Sequence, residues 1–260
     1  MTMKDNELKH LNLPENKNAR NLLIEIKKIH DQGFIPTVIN GDTGVGMTLE
    51  SELNIKPNNQ QEPDYNGIEI KAFRKKRSNN KQKRINFFSK VPNWKNSYYK
   101  SSRELLDNFG HWDEERNRIG LSGTLRANAP NPIGLYLSVD ENNDKLYVLH
   151  EEKNILEWDL NTLKEILIKK HPETFWVEAE QKKINGVEYF KYNKIIYTQN
   201  PDTDIFVQLI NSQDISLDYD FNLNEKEFKD HGYLFKIFTD KLNLIFPKME
   251  VYDLDKLTIE

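Results

Sequence analysis

The stretch EPDYNGIEIKAF, Glu62 to Phe73, decides how the rest of this chain is read. Asn66-Gly67 is a tight-turn pair. The residues beyond it, GIEIKAF, alternate apolar and polar positions, which predicts a strand over 67–73. Side chains two apart on a strand share a face. Glu69 and Lys71 therefore stand side by side, about 7 Å apart, while Ile68 and Ile70 turn to the core. The turn folds Asp64 back beside Glu69. Two carboxylates and one amine then converge at a strand end. Paired oxygen donors suit Mg²⁺, which needs only one or two protein carboxylates when a phosphate supplies further ligands. The neighbouring lysine is placed to hold a phosphate or an attacking water. These are the parts that metal-assisted phosphodiester hydrolysis requires.

A Glu-x-Lys triplet carries little by itself. It recurs at Glu25-Ile26-Lys27 and at Glu180-Gln181-Lys182, and on a strand it is ordinarily a solvated ion pair. The first instance stands out by its company. Upstream lies GDTGVGMTLE, Gly41 to Glu50, which matches a phosphate-binding loop except that Met47 stands where the lysine belongs. Methionine cannot supply the charge that reaches the β- and γ-phosphates. The glycines are better read as a tight turn into a short helix that opens at Thr43 or Gly46, runs through Leu53 and carries Glu50.

Downstream lies KAFRKKRSNNKQKR, with Lys71, Arg74, Lys75, Lys76, Arg77, Lys81, Lys83 and Arg84 and no acid among them. The whole chain carries a net charge of only −4. A basic stripe on an otherwise acidic protein reads either as a polyanion-binding face or as a solvated surface loop. Thr43, Arg74 and Lys75 are the candidate contacts of such a face.

The 260 residues suffice for one large domain. The absence of cysteine excludes a disulfide framework, a thiolate zinc site and a cysteine nucleophile. No apolar run approaches the roughly 18 residues that span a bilayer, and the first residues hold no apolar signal core. A cytoplasmic location without a membrane partner is the expectation.

Along the chain, a helix is predicted from an Asn18 N-cap through Leu22, Leu23, Ile26 and Ile29 to a stop at Gly33. A short apolar strand over 34–39 follows. The strand at 67–73 is expected to pair with 85–91, and a helix is expected over 102–109. Residues 122–132 read as a long polar loop. GLYLSV and KLYVLHE form a hairpin, followed by a helix over 161–170. Asn185-Gly186 joins two further strands. A helix over 202–211 and strands over 215–221 and 233–238 complete the pattern. The fold class is α/β, a mixed sheet flanked by helices and fed partly by hairpins, in one domain spanning 1–260.

Pro63-Asp64 followed by Glu69-x-Lys71 resembles the PD-(D/E)xK nuclease superfamily. The wider block, GDTGVGMTLE followed by PDYNGIEIK, is similar to its MutH-like branch, in particular to the MvaI/BcnI type of restriction endonuclease. Weaker similarity recurs at YFKYN (Tyr189–Asn193) and HGYLFKI (His231–Ile237). The resemblance implies a catalytic lobe, about residues 1–120, and a recognition lobe, about residues 121–260. It implies a monomer that cuts double-stranded DNA at a short GC-containing site with Mg²⁺, for which Mn²⁺ substitutes, beside a separately encoded methyltransferase. Asp64, Glu69 and the Ile70 backbone carbonyl would be metal ligands, Lys71 would activate or position the water, and Glu50 would support the site. His231 is the first candidate for reading bases. Lys236 stands where the family pattern has arginine, and Lys229 where a second histidine occurs. Asp218 and Asp220 occupy a strand where a basic residue is expected; an acid there can accept from cytosine N4. Arg126 is a further candidate for groove or phosphate contact. A MutH-like repair nickase and a non-catalytic DNA-binding module are the alternatives.

Overall fold

The computed structural model describes residues 13–55, 62–75, 84–225 and 227–258. The chain opens with α1 (Lys17–Asp31), β1 (Ile35–Pro36), α2 (Gly44–Glu52) and β2 (Glu69–Arg74). It continues with β3 (Arg84–Ser89), α3 (Ser102–Phe109), β4 (His111–Asp113), β5 (Arg118–Leu125), β6 (Tyr136–Asp140), β7 (Lys145–His150), β8 (Lys153–Asp159) and α4 (Leu160–Lys170). Then come β9 (Glu173–Ile184), β10 (Val187–Gln199), α5 (Thr203–Asn211), β11 (Ile215–Leu223), β12 (Phe228–Phe238), α6 (Leu242–Ile245) and β13 (Lys248–Asp253). Two compact units interleave along this order. One takes residues 1–77, 171–200 and 248–260; the other takes 78–170 and 201–247.

The first unit is a sheet in the order β1-β10-β9-β2, with β13 also paired to β10. Helix α1 forms where the apolar period predicts, burying Ala19, Leu22, Leu23, Ile26 and Ile29. Its cap is Asn16, two residues before the expected Asn18: the Asn16 side chain accepts from the Asn18 N–H and donates to Glu173 at 2.7 Å. Strands β9 and β10 form the expected hairpin, with Asn185 and Gly186 both at positive φ (48° and 84°), as a two-residue type I′ turn demands.

The pairing expected for β2 is replaced. It runs parallel to β9, Glu69 opposite Thr174 through Arg74 opposite Ala179. Residues 85–91 instead contribute β3 to the other unit, paired to β12. Local alternation finds strands but not partners, and a parallel partner lies across a long crossover. The sequence of β9 does carry a trace of this pairing. Phe175, Trp176 and Val177 are consecutive and all fully buried, the pattern of a strand covered on both faces.

The second unit holds a sheet in the order β3-β12-β11-β5-β4 and a three-stranded sheet β6-β7-β8. Aromatic rings fill its interior: Phe88 lies 5.0 Å from Phe235, Phe221 5.2 Å from Tyr233, and Trp158 5.5 Å from Tyr233. The expected polar loop at 122–132 begins later than predicted, because Ser122 to Leu125 are the end of β5. Between β11 and β12 the register shifts at Tyr219/Phe221, so that Asp220 faces both His231 and Gly232. No described helix is long and apolar enough to cross a membrane.

Candidate active site

The turn before β2 forms as the Asn-Gly pair requires. Asn66 and Gly67 take φ of 45° and 88°, and Tyr65 and Ile68 exchange backbone hydrogen bonds of 2.8 and 2.9 Å. Asn18 of α1 steadies the turn by donating to the Asn66 carbonyl. Asp64 is thereby brought back beside the strand, where its Oδ2 accepts from the Ile70 N–H at 3.0 Å. That hydrogen bond also fixes a direction. Among the described residues, strand β2 is an edge strand with β9 on one side only. In extended backbone the N–H and C=O of one residue point to the same edge. The Ile70 carbonyl therefore points to the open edge, where Asp64 sits.

Glu69 is fully buried, and Lys71 Nζ lies 2.5 Å from its Oε1. The two side chains share a face, as the period of two predicts. Ile68 and Ile70 are buried as expected. A fully buried carboxylate is costly unless a cation compensates it, so this pair differs from the solvated one that Glu-x-Lys usually makes.

Helix α2 brings the fourth group. Its entry depends on glycine: a Cβ on Gly44 would stand 2.4 Å from the Ile39 carbonyl oxygen, and Gly41 sits at φ +105°. Thr48 Oγ1 accepts from the Val38 N–H, and Tyr192 donates to the Val45 carbonyl at 2.8 Å, so the helix is fastened at its first turn. Glu50 then faces the site. Burial first, and next the charge of Asp64, push its carboxyl above the usual range; Lys71 pulls the other way and Glu69 adds to the rise. Glu50, Asp64, Glu69 and Lys71 are thus one electrostatic cluster.

Oxygen donors on Asp64 and Glu69, with the Ile70 carbonyl on the same edge, match what Mg²⁺ accepts. Three carboxylates in this cluster face one ammonium among the described residues. Among the described residues no trio of His, Asp or Glu side chains is already drawn together as a cage. A site that takes further ligands from a phosphate needs none.

Other candidates from the sequence fall in several places. Thr43 is exposed at the start of α2 and makes no side-chain cap. Arg74 is turned inward: its guanidinium donates to the carbonyls of Asp42 (3.0 Å) and Gly41 (2.5 Å), pairs with Glu188 (3.2 Å) and lies over the Phe190 ring. It fastens the glycine loop. Lys75 is half exposed and 3.2 Å from Glu180. Lys76, Arg77, Lys81 and Lys83 lie outside the described residues.

In the second unit, Lys236 Nζ lies 2.8 Å from Asp218 Oδ2. Lys229 is exposed near Glu227. His231 is exposed at the bulge, with Nε2 3.3 Å from Nδ2 of the buried Asn222. Arg126 lines an open cavity of about 490 Å³ together with Thr124, Asn131 and Tyr219.

Sequence reasoning singled out neither Asn222 nor Thr124, and it did not join Arg84 and Lys236 to Asp218. Arg84, Thr124 and Lys236 all hydrogen bond to the Asp218 carboxylate. Burial works against its charge, yet the bonds from Lys236, Thr124 and Arg84 together hold its carboxyl below the usual range. The only sequence signal was alternation, which puts Ser216 and Asp218 on one face of β11.

A family model described as the MvaI/BcnI restriction endonuclease family matches residues 23–246. Among solved structures, the "Restriction endonuclease MvaI-cognate DNA substrate complex" is similar with a TM-score of 0.75 at 23% identity, covering 93% of this chain and 100% of that one. The "Restriction endonuclease MvaI in the absence of DNA" matches at 21% identity and a TM-score of 0.48, covering 92% and 99%. No curated protein matches.

Proposed function

This chain belongs to the MvaI/BcnI restriction endonuclease family, and from that premise we propose that it is a type II-like endonuclease that hydrolyses double-stranded DNA at a short GC-containing site with Mg²⁺. The observation that carries the chemistry is the carboxylate excess around Lys71 at the open edge of β2. Asp64, Glu69 and the Ile70 carbonyl would hold the ion, and Mn²⁺ would substitute. When bound, it neutralises charge that develops on the scissile phosphate.

The chain's own residues do the rest. Lys71, steadied by the buried Glu69, holds the attacking water or a phosphate oxygen against the carboxylates. The Ile70 N–H orients Asp64. Glu50, whose carboxyl is pushed above the usual range by burial and then by Asp64, supports the site from α2. Thr43, at the exposed start of that helix, is placed to meet the DNA backbone, and Lys75 adds charge along the same unit.

The first unit then acts as the catalytic lobe and the second as the recognition lobe, with His231, Lys236, Lys229 and Arg126 as its contacts. The protein works as a cytoplasmic monomer beside a separately encoded methyltransferase. The structure of MvaI with its cognate DNA supports duplex DNA as the partner through shared fold.

Digestion of a DNA of known sequence in Mg²⁺, with the ends mapped, tests this reading. Double-strand cuts at one short recurring site are expected. Nicks that appear only with partner proteins would instead mark a repair nickase. Binding without Mg²⁺- or Mn²⁺-dependent cleavage would mark a non-catalytic module.

A further inference from the structure

The polar face of the β3-β12-β11-β5-β4 sheet carries a second charged cluster, and its reading rests on the function proposed above. Arg84 opens β3. Its Nη1 donates to Asp218 Oδ1 at 2.6 Å and to Ser216 Oγ at 2.7 Å, and its Nη2 donates to Thr124 Oγ1 at 3.3 Å. Thr124 Oγ1 in turn donates to the same Asp218 oxygen at 2.7 Å, while Lys236 takes the other oxygen at 2.8 Å. The guanidinium plane is thus set by acceptors from β11 and β5. Its side-chain entropy is lost on folding rather than on binding, which is the advantage of preorganisation.

Among the described residues, these partners occupy both hydrogens of Nη1 and one of Nη2. The donors left over are Nε–H and the second Nη2–H. They project along one side of the guanidinium as a planar fork, and the side chain is about a quarter exposed. Such a fork matches guanine O6 and N7 in the major groove, the commonest base-specific contact. Lys236 shares the carboxylate but has no fork. Asp218, with both oxygens engaged, is not placed as a simple acceptor for a cytosine amino group.

We propose that Arg84 is a guanine-reading residue of this sheet, and that Asp218 is the residue that positions it. The same fork fits a phosphate, and the two contacts leave different signatures. A lost base contact relaxes one position of the target site. A lost phosphate contact weakens all sequences alike and lowers the salt slope by about one.

The test is digestion of a randomised duplex library in Mg²⁺ by the wild type, Arg84→Gln, Arg84→Lys and Asp218→Asn, with sequencing of the cut sites and kcat/KM followed against salt. In Arg84→Gln, preference for guanine at one position should fall roughly 10- to 100-fold while other positions keep theirs. Arg84→Lys should keep part of that preference, and Asp218→Asn should loosen the same position and no other. An unchanged site preference in all three variants, or a uniform loss with the lower salt slope, overturns the proposal. If Arg84→Gln fails a folding check by circular dichroism, Arg84→Lys, which keeps the charge opposite Asp218, decides. A wild type that cuts without sequence preference, or not at all, overturns the proposed function itself, and this inference falls with it.

Discussion

Two carboxylate–lysine pairs in this molecule look alike and are electrostatic opposites. In the first unit Lys71 lies 2.5 Å from Glu69; in the second, Lys236 lies 2.8 Å from Asp218. Around the first pair stand Asp64 and Glu50, so acids outnumber the base, and the Glu50 carboxyl is pushed up by burial and then by Asp64. Around the second stands Arg84, so bases outnumber the acid, and the Asp218 carboxyl is held low against its burial. An ion pair alone therefore says little about function. The imbalance left after pairing says more: among the described residues, one cluster keeps excess negative charge and the other excess positive charge.

The largest effect should come from removing Lys71 from the acidic cluster. Lys71→Ala leaves Glu69 buried beside two further carboxylates, and single-turnover cleavage should fall by roughly a hundred- to a thousandfold or more. Gel-shift affinity for the same DNA should stay within a few fold. Equal losses of binding and cleavage would place Lys71 in DNA binding and blur the contrast between the two clusters.

Next comes the acid of the basic cluster. Asp218→Ala strands Arg84 and Lys236 and should cost about 1–3 kcal/mol in denaturant unfolding at neutral pH. The folded-state pKa of Asp218 is depressed. Its contribution is therefore present above the unfolded carboxylate range and is lost as pH falls through the lower folded value. The wild-type and variant stabilities should converge on acidification. A gap that stays constant into acid would mean that packing, not charge, holds this cluster.

The smallest effect has the opposite sign. The Glu50 pKa is raised in the folded protein, so folding opposes its ionisation. The cost is absent in acid and is felt above the usual carboxylate range. Glu50→Gln should therefore stabilise the metal-free protein at neutral pH, by less than about 1 kcal/mol once solvent screening is counted, while lowering cleavage. A thermal melt without divalent ions checks the first half, and the cleavage assay checks the second. Destabilisation at neutral pH would remove Glu50 from the acidic cluster.

Much of the acidic cluster was legible because its members are near in sequence and bound by local rules. Asn66-Gly67 specifies a turn, the period of two sets Glu69 beside Lys71, and Gly41 and Gly44 specify the entry to the helix that carries Glu50. The parallel pairing of β2 with β9 was not legible, since it joins residues more than a hundred positions apart. The same holds for the basic cluster. Arg84, Thr124, Asp218 and Lys236 come from four strands, and only the sheet order brings them together. Arg74 was misleading for the converse reason. It sits in a run of cations, yet local geometry turns it inward onto the Gly41 and Asp42 carbonyls.

The account stands most directly on Asp64, which the Ile70 N–H holds at the open edge of β2 beside the buried Glu69. Purified wild type and Asp64→Ala should be compared on one duplex in Mg²⁺ for cleavage and on the metal-free proteins for the rise in Tm on adding Mg²⁺. Wild type should cut and be stabilised by Mg²⁺, whereas Asp64→Ala should bind the DNA but do neither. Mg²⁺-dependent cleavage retained by Asp64→Ala would contradict this.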